Sequence, residues 1–72
     1  PTHLRISLVN YNGVIYHQGH RVYIAELLKG EKVGVEEVAD GVWDVYFGPV
    51  KLGYFEKSQI KKAQNEYLSL KV

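Results

Sequence analysis

Short apolar segments, cut at near-regular intervals by glycine, run through most of this chain. From Gly13 onward they read GVIYHQG, HRVYIAELLKG, EKVGVEEVADG, VWDVYFG and PVKLGYF. Each piece has the length of a strand and each break is a turn signal, the rhythm of a small β-barrel. Ahead of them, residues 3–9 alternate, with Leu4, Ile6 and Leu8 on one face and Arg5 and Ser7 on the other, and read as a first strand. Asn10 to Gly13 is a turn, because Asn and Gly tolerate positive φ. Residues 14–17 and 20–24 follow as strands two and three around a tight Gln18-Gly19 reversal. In the third, Val22 and Ile24 share one face and Arg21 and Tyr23 the other.

Residues 25–30 do not alternate. They predict one helical turn ended by Gly30, with Leu27 or Leu28 plugging an end of the barrel. Residues 31–38 form strand four, with Val33 and Val35 inward, and Asp40-Gly41 supplies the hairpin turn into strand five, residues 42–47. There Trp43, Val45 and Phe47 fall on the core face, and Val42, Asp44 and Tyr46 on the exposed one. Gly48-Pro49 interrupts the ladder, since proline has no N–H to donate, and residues 50–55 make strand six. Past Glu56, Ser58 can cap a helix, and Ile60, Ala63, Tyr67 and Leu68 fall close to a 3.6-residue period. The expectation is a helix over about residues 59–68, although Leu68, Leu70 and Val72 also alternate as a final strand would. The fold expected is therefore mainly all-β: a small closed barrel of five to six antiparallel strands over residues 1–56, with a C-terminal helical tail over 57–72.

Seventy-two residues make one domain. A domain of this size buries only roughly 60% of the surface its unfolded chain exposes, so its core must be efficient. With no cysteine in the sequence, neither a disulfide nor a thiolate metal site can staple it. Apolar burial must do so, and nine aromatic residues, six of them tyrosine, suit a pleated surface. No signal peptide and no membrane span is expected, and the chain, beginning at Pro1, is read as a piece of a longer, cytoplasmic protein.

The net charge of +1 hides an uneven distribution. Residues 1–35 carry four Lys or Arg against two Glu, residues 36–50 four acids and no base, and residues 51–72 five Lys against two Glu. The acidic middle hairpin lies between two basic ends, so one basic face can coexist with near-neutrality. Nothing resembles a nucleophile elbow, a phosphate loop or a paired-carboxylate site, and no catalytic residue is assigned. His17 and His20 flank a tight turn, but only His3 could join them, short of a zinc ligand set; no metal and no cofactor is expected. The basic residues Arg5, Arg21, Lys29, Lys32 and Lys51 are interleaved with Tyr16, Tyr23, Tyr46 and Tyr54. Lys and Arg pair with phosphate, and Tyr stacks on a base or hydrogen-bonds a phosphate oxygen. The same residues can also serve as ordinary solvated positions that keep sheet edges apart.

Three linked phrases carry a resemblance. The first joins Asn12-Gly13-Val14-Ile15-Tyr16 to Gly19-His20-Arg21-Val22-Tyr23-Ile24. The second runs from Ala25 through Leu27-Leu28-Lys29-Gly30-Glu31-Lys32 to Val35. The third is Asp40-Gly41-Val42-Trp43-Asp44-Val45-Tyr46-Phe47-Gly48, continued by Leu52-Gly53. Each is generic β-sheet grammar, but in this order and spacing, over about residues 4–56, they resemble the C-terminal domain of insertion-sequence transposases of the DDE integrase superfamily. The resemblance implies an SH3-like barrel that follows an RNase-H-like catalytic domain, whose acidic triad binds two metal ions and joins DNA ends. That triad belongs to a segment outside this chain, so the fragment is expected not to be an enzyme while its parent is one.

The resulting expectation is an accessory DNA-binding domain that contacts DNA phosphates non-specifically and positions transposon ends. His20, Arg21, Lys29, Lys32 and Lys51 are the phosphate contacts, and Tyr23 and Tyr46 add stacking or hydrogen bonds; these come from the strand pattern rather than from the resemblance. The alternative is a protein-interaction barrel that assembles transposase subunits, which the acidic hairpin favours because it repels DNA. Neither a membrane nor a small molecule is an expected partner.

Overall fold

The computed structural model of the protein describes residues 4–59 and 68–72. They form seven strands: β1 (Leu4–Leu8), β2 (Val14–His17), β3 (His20–Tyr23), β4 (Lys32–Ala39), β5 (Val42–Phe47), β6 (Val50–Glu56) and β7 (Leu68–Ser69), with a 3₁₀ turn at Glu26–Leu28. The all-β expectation holds, and the six sequence-read strands fall within a residue or two of β1–β6. The strands divide into a four-stranded sheet, ordered β1-β4-β5-β6, and a three-stranded sheet, ordered β2-β3-β7.

The two sheets share one core. Ile15, Val22 and Leu68 from the small sheet meet Val33, Val35, Trp43, Val45 and Phe55 from the large one. Trp43 stacks on Phe55 with ring centroids 5.2 Å apart. Such a core follows from alternation: on β4 and β5 every second side chain is a β-branched or aromatic residue of the kind that packs well on a pleated face.

Local chemistry sets the turns. The Asn10 side-chain oxygen accepts hydrogen bonds from the Asn12 and Val14 N–H groups at 2.8 and 3.0 Å, closing the β1–β2 connection. Gly13 has φ of +81°, and its carbonyl accepts from the Ile24 and Ala25 N–H groups. A Cβ there would lie 2.6 Å from the Glu26 nitrogen, so only glycine fits.

Several expectations are corrected. The strands are not all antiparallel, since β3 pairs with β7 in parallel, Val22 opposite Leu68. The helix expected over about residues 59–68 does not reach Leu68, which lies in β7; Ser58 and Gln59 are helical, and residues 60–67, which hold most of the expected helix with Ile60, Ala63 and Tyr67, lie outside the described residues. Gln59 accepts the Glu56 N–H at 2.6 Å and donates to the Ser69 carbonyl at 3.0 Å, joining the end of β6 to β7. Leu27 plugs nothing, being 96% exposed, whereas Leu28 packs partly against the core. Phe47 is not a core residue: it is 37% exposed, because it ends β5 at the Gly48-Pro49 turn, beyond the last buried rung. Asp44 is not on the surface but buried, its carboxylate 3.3 Å from the Lys51 ammonium. Gly53 lies within β6, where the register against β5 shifts between Val45 and Tyr46.

On β1 the outcome is less familiar. Its apolar residues Leu4, Ile6 and Leu8 point away from the core and are 46%, 60% and 61% exposed. The core residue from this segment is Val9, just past the strand end.

Candidate functional site

The structure divides the expected contact residues between two surfaces. On the outer face of the small sheet, the β2–β3 ladder places Tyr16 directly opposite Arg21, with Tyr23 two residues along on the same face. Arg21, Tyr16 and Tyr23 are all exposed. His20 stands at the exposed tip of the same hairpin, opposite His17. None of β2, β3 and β7 contains an acidic residue; the acids of residues 36–44 lie on the β4–β5 hairpin of the other sheet. Tyr16 is the residue that the strand pattern undervalued. Cross-strand register, which follows from the two-residue Gln18-Gly19 turn, is the signal that pairs it with Arg21.

Lys32, Tyr46 and Lys51 belong to the outer face of the large sheet. Register places Gly34 opposite Tyr46 and Tyr46 opposite Lys51, with Lys32 two residues from Gly34. Lys51 is engaged with Asp44. Lys29 belongs to neither face: its ammonium lies 4.5 Å from the centre of the Tyr11 ring, beyond the 3₁₀ turn.

His17 and His20 do not act as a pair. His17 is buried, its ring edge-on to Trp43 and Phe55 at centroid distances of 5.0 and 5.4 Å. Neither of its ring nitrogens has a hydrogen-bond partner. Burial, reinforced by the Arg5 charge and opposed by Glu37, holds its pKa below the ordinary histidine value, so the ring is neutral at pH 7. It lines a recess of about 250 Å³ with Leu4, Arg5, Gln18, Glu37 and Trp43. Among the described residues no three His, Cys, Asp or Glu side chains converge as a metal site would require, and no helix is long and apolar enough to cross a membrane.

Two sheets around one core, with one aromatic-and-arginine face and one acidic hairpin, define a small all-β domain. The sequence profile described as IS481 family transposase, C-terminal domain, matches residues 5–62, and the chain belongs to that family. No curated protein and no solved structure matches it.

Proposed function

We propose that this domain binds duplex DNA through the outer face of its small sheet, holding transposon ends by their phosphates for the catalytic part of a parent transposase. The observation that carries the reading is the Tyr16–Arg21–Tyr23 cluster on a sheet whose strands hold no acid. Arginine pairs with a phosphate through two parallel N–H donors, and flanking tyrosines add hydrogen bonds to phosphate or stack on an exposed base. His20 at the hairpin tip extends the strip. The acidic β4–β5 hairpin then serves as the side turned away from the polyanion, which orients the encounter. The domain is read as an SH3-like barrel, supported by the core its two sheets share. It performs no chemistry itself, and it acts in the cytoplasm on nucleoid DNA.

Isolated, the domain should bind with a dissociation constant in the non-specific range, roughly 10⁻⁴ to 10⁻⁶ M at physiological salt. Titration of labelled protein with duplex DNA at several salt concentrations tests the proposal. Amide shifts should cluster on β2 and β3, and Arg21→Ala should weaken binding to all sequences alike while lowering the salt slope by about one. Lys51→Ala should change little, because Asp44 already holds that ammonium. Absence of shifts at low salt, or shifts confined to β4 and β5, would overturn the reading.

A further inference from the structure

The outer face of the large sheet carries an apolar strip that DNA contact does not explain. Leu4, Ile6 and Leu8 stand exposed along β1, the outermost strand of that sheet. Next to them on β4 lies Gly34, the notch against which Leu4 rests; a Cβ there would meet the Leu4 Cδ1 at 2.9 Å. Leu4, Ile6, Gly34 and Tyr46 line a shallow groove of about 520 Å³, bounded by Lys32 at one end and Glu36 at the other. Apolar residues exposed on an edge strand are an association hazard that single folded domains ordinarily suppress with charge.

The arrangement is self-complementary. Ile6 pairs with Gly34, Gly34 with Tyr46 and Tyr46 with Lys51, so these four residues make one rung across the sheet. Leu4 opposite Glu36 makes a rung on one side of it, and Leu8 opposite Lys32 a rung on the other. A two-fold axis lying along the central rung, between two facing sheets, reverses the strand direction and exchanges the flanking rungs. Leu4 then meets Leu8 of the second copy, Ile6 meets its own counterpart, and Lys32 faces Glu36 in both directions. A two-fold axis running along β4 would instead set Lys32 against Lys32 and Glu36 against Glu36. Closed two-fold assembly requires one patch that complements itself, and this face meets the requirement in both shape and charge.

We propose that the outer face of β1 and β4 docks a second copy of this chain, stacked face to face about that axis, with Lys32 and Glu36 setting the register. The inference is independent of the DNA reading, since it uses the other sheet and its test contains no DNA. The strip is small, so the interface falls below about 1,200 Å² of total buried area, in the range of transient encounters.

Sedimentation velocity and concentration-dependent NMR relaxation on the 72-residue chain, over roughly 0.05–2 mM, the range in which weak dimers form, supply the test. The expected result is a reversible monomer–dimer equilibrium that Ile6→Lys abolishes with amide dispersion unchanged. Lys32→Glu alone and Glu36→Lys alone should each weaken it by at least about tenfold, because each creates two like-charge pairs. The combined K32E/E36K variant should return to within about threefold of the starting affinity, because the pairs are reversed rather than lost. A chain that stays monomeric throughout overturns the proposal and assigns the strip to another part of the parent protein. A dimer that Ile6→Lys disrupts but the charge reversals leave untouched overturns the proposed register.

Discussion

His17 shows how far a residue's role depends on what folds onto it. Its sequence neighbours place it at a polar hairpin tip beside His20, yet Trp43 and Phe55, both remote in the chain, close over the ring and leave its nitrogens unpaired. A buried polar group without a partner costs about 1–3 kcal/mol. His17→Phe removes that cost and keeps the edge-on ring contacts with Trp43 and Phe55, with the adjoining recess available to take up the added volume. The variant should unfold at higher denaturant concentration than the parent. Histidine also makes stability depend on pH. Because the folded-state pKa lies below the unfolded value of about 6.5, the unfolded chain binds a proton here while the folded chain does not. This contribution is fully present above about pH 6.5 and is lost as pH falls toward the folded pKa. Melting temperatures measured from pH 7.5 downward should therefore fall, and the His17→Phe variant should lack this component; parallel curves for the two proteins would refute the account.

Turns and strands differ in how much of them a sequence discloses. At Gly13 both the +81° dihedral and the backbone of residues 25–26 exclude a side chain, whereas Gly19, with φ of +82°, has open space where its Cβ would be. Gly13→Ala should destabilise the fold by roughly 2–4 kcal/mol, since the substitution adds a displaced backbone to the dihedral strain. Gly19→Ala should cost only about 1–2 kcal/mol, the strain of a left-handed non-glycine residue. Equal losses in paired chemical denaturation curves would show that only the dihedral matters. The turn chemistry of Asn10–Gly13 and Asp40-Gly41 was legible because it is local: the glycine and the side-chain acceptor lie within a few residues of one another. Strand periods were legible for the same reason. The direction of a strand's faces was not, because alternation states a period of two and leaves open which side meets the core. On β5 the aromatic and β-branched residues decided correctly for Trp43 and Val45. On β1 the apolar face turned outward, since the small sheet already supplies Ile15 and Val22 to the shared core. Asp44 and Lys51 show a related limit, for the bulge that sets their approach lies on β6 and belongs to pairing rather than to pattern. For the candidate interface, residue types were legible while their grouping was not: Arg21 and Tyr23 gather with Tyr16, whereas Lys32, Tyr46 and Lys51 lie on the other sheet.

The last strand decides how the molecule holds together. Leu68, 4% exposed, belongs to the core cluster and pairs with Val22, while Lys71 exchanges two backbone hydrogen bonds with Tyr54 at 2.7 and 2.8 Å. The C-terminal residues thus touch both sheets, β7 extending the small one and Lys71 bridging to the edge of the large one. A domain of this length has a stability of only about 5–15 kcal/mol at best, and typically sits at the low end. Leu68→Ala should remove about 2–5 kcal/mol through lost burial and the cavity left behind. Ending the chain at Gln59 removes the same side chain together with the β3–β7 pairing and the Lys71 bridge, so its effect should be larger. The shortened chain should show little amide dispersion at 25 °C, and its loss of DNA binding or self-association would then report unfolding, not a lost contact. Leu70→Ala, at a partly buried position beside the same bridge, should give a smaller loss than Leu68→Ala. If the chain ending at Gln59 instead keeps full dispersion and an unchanged denaturation midpoint, the C-terminal strand is an appendage and the two sheets hold together without it.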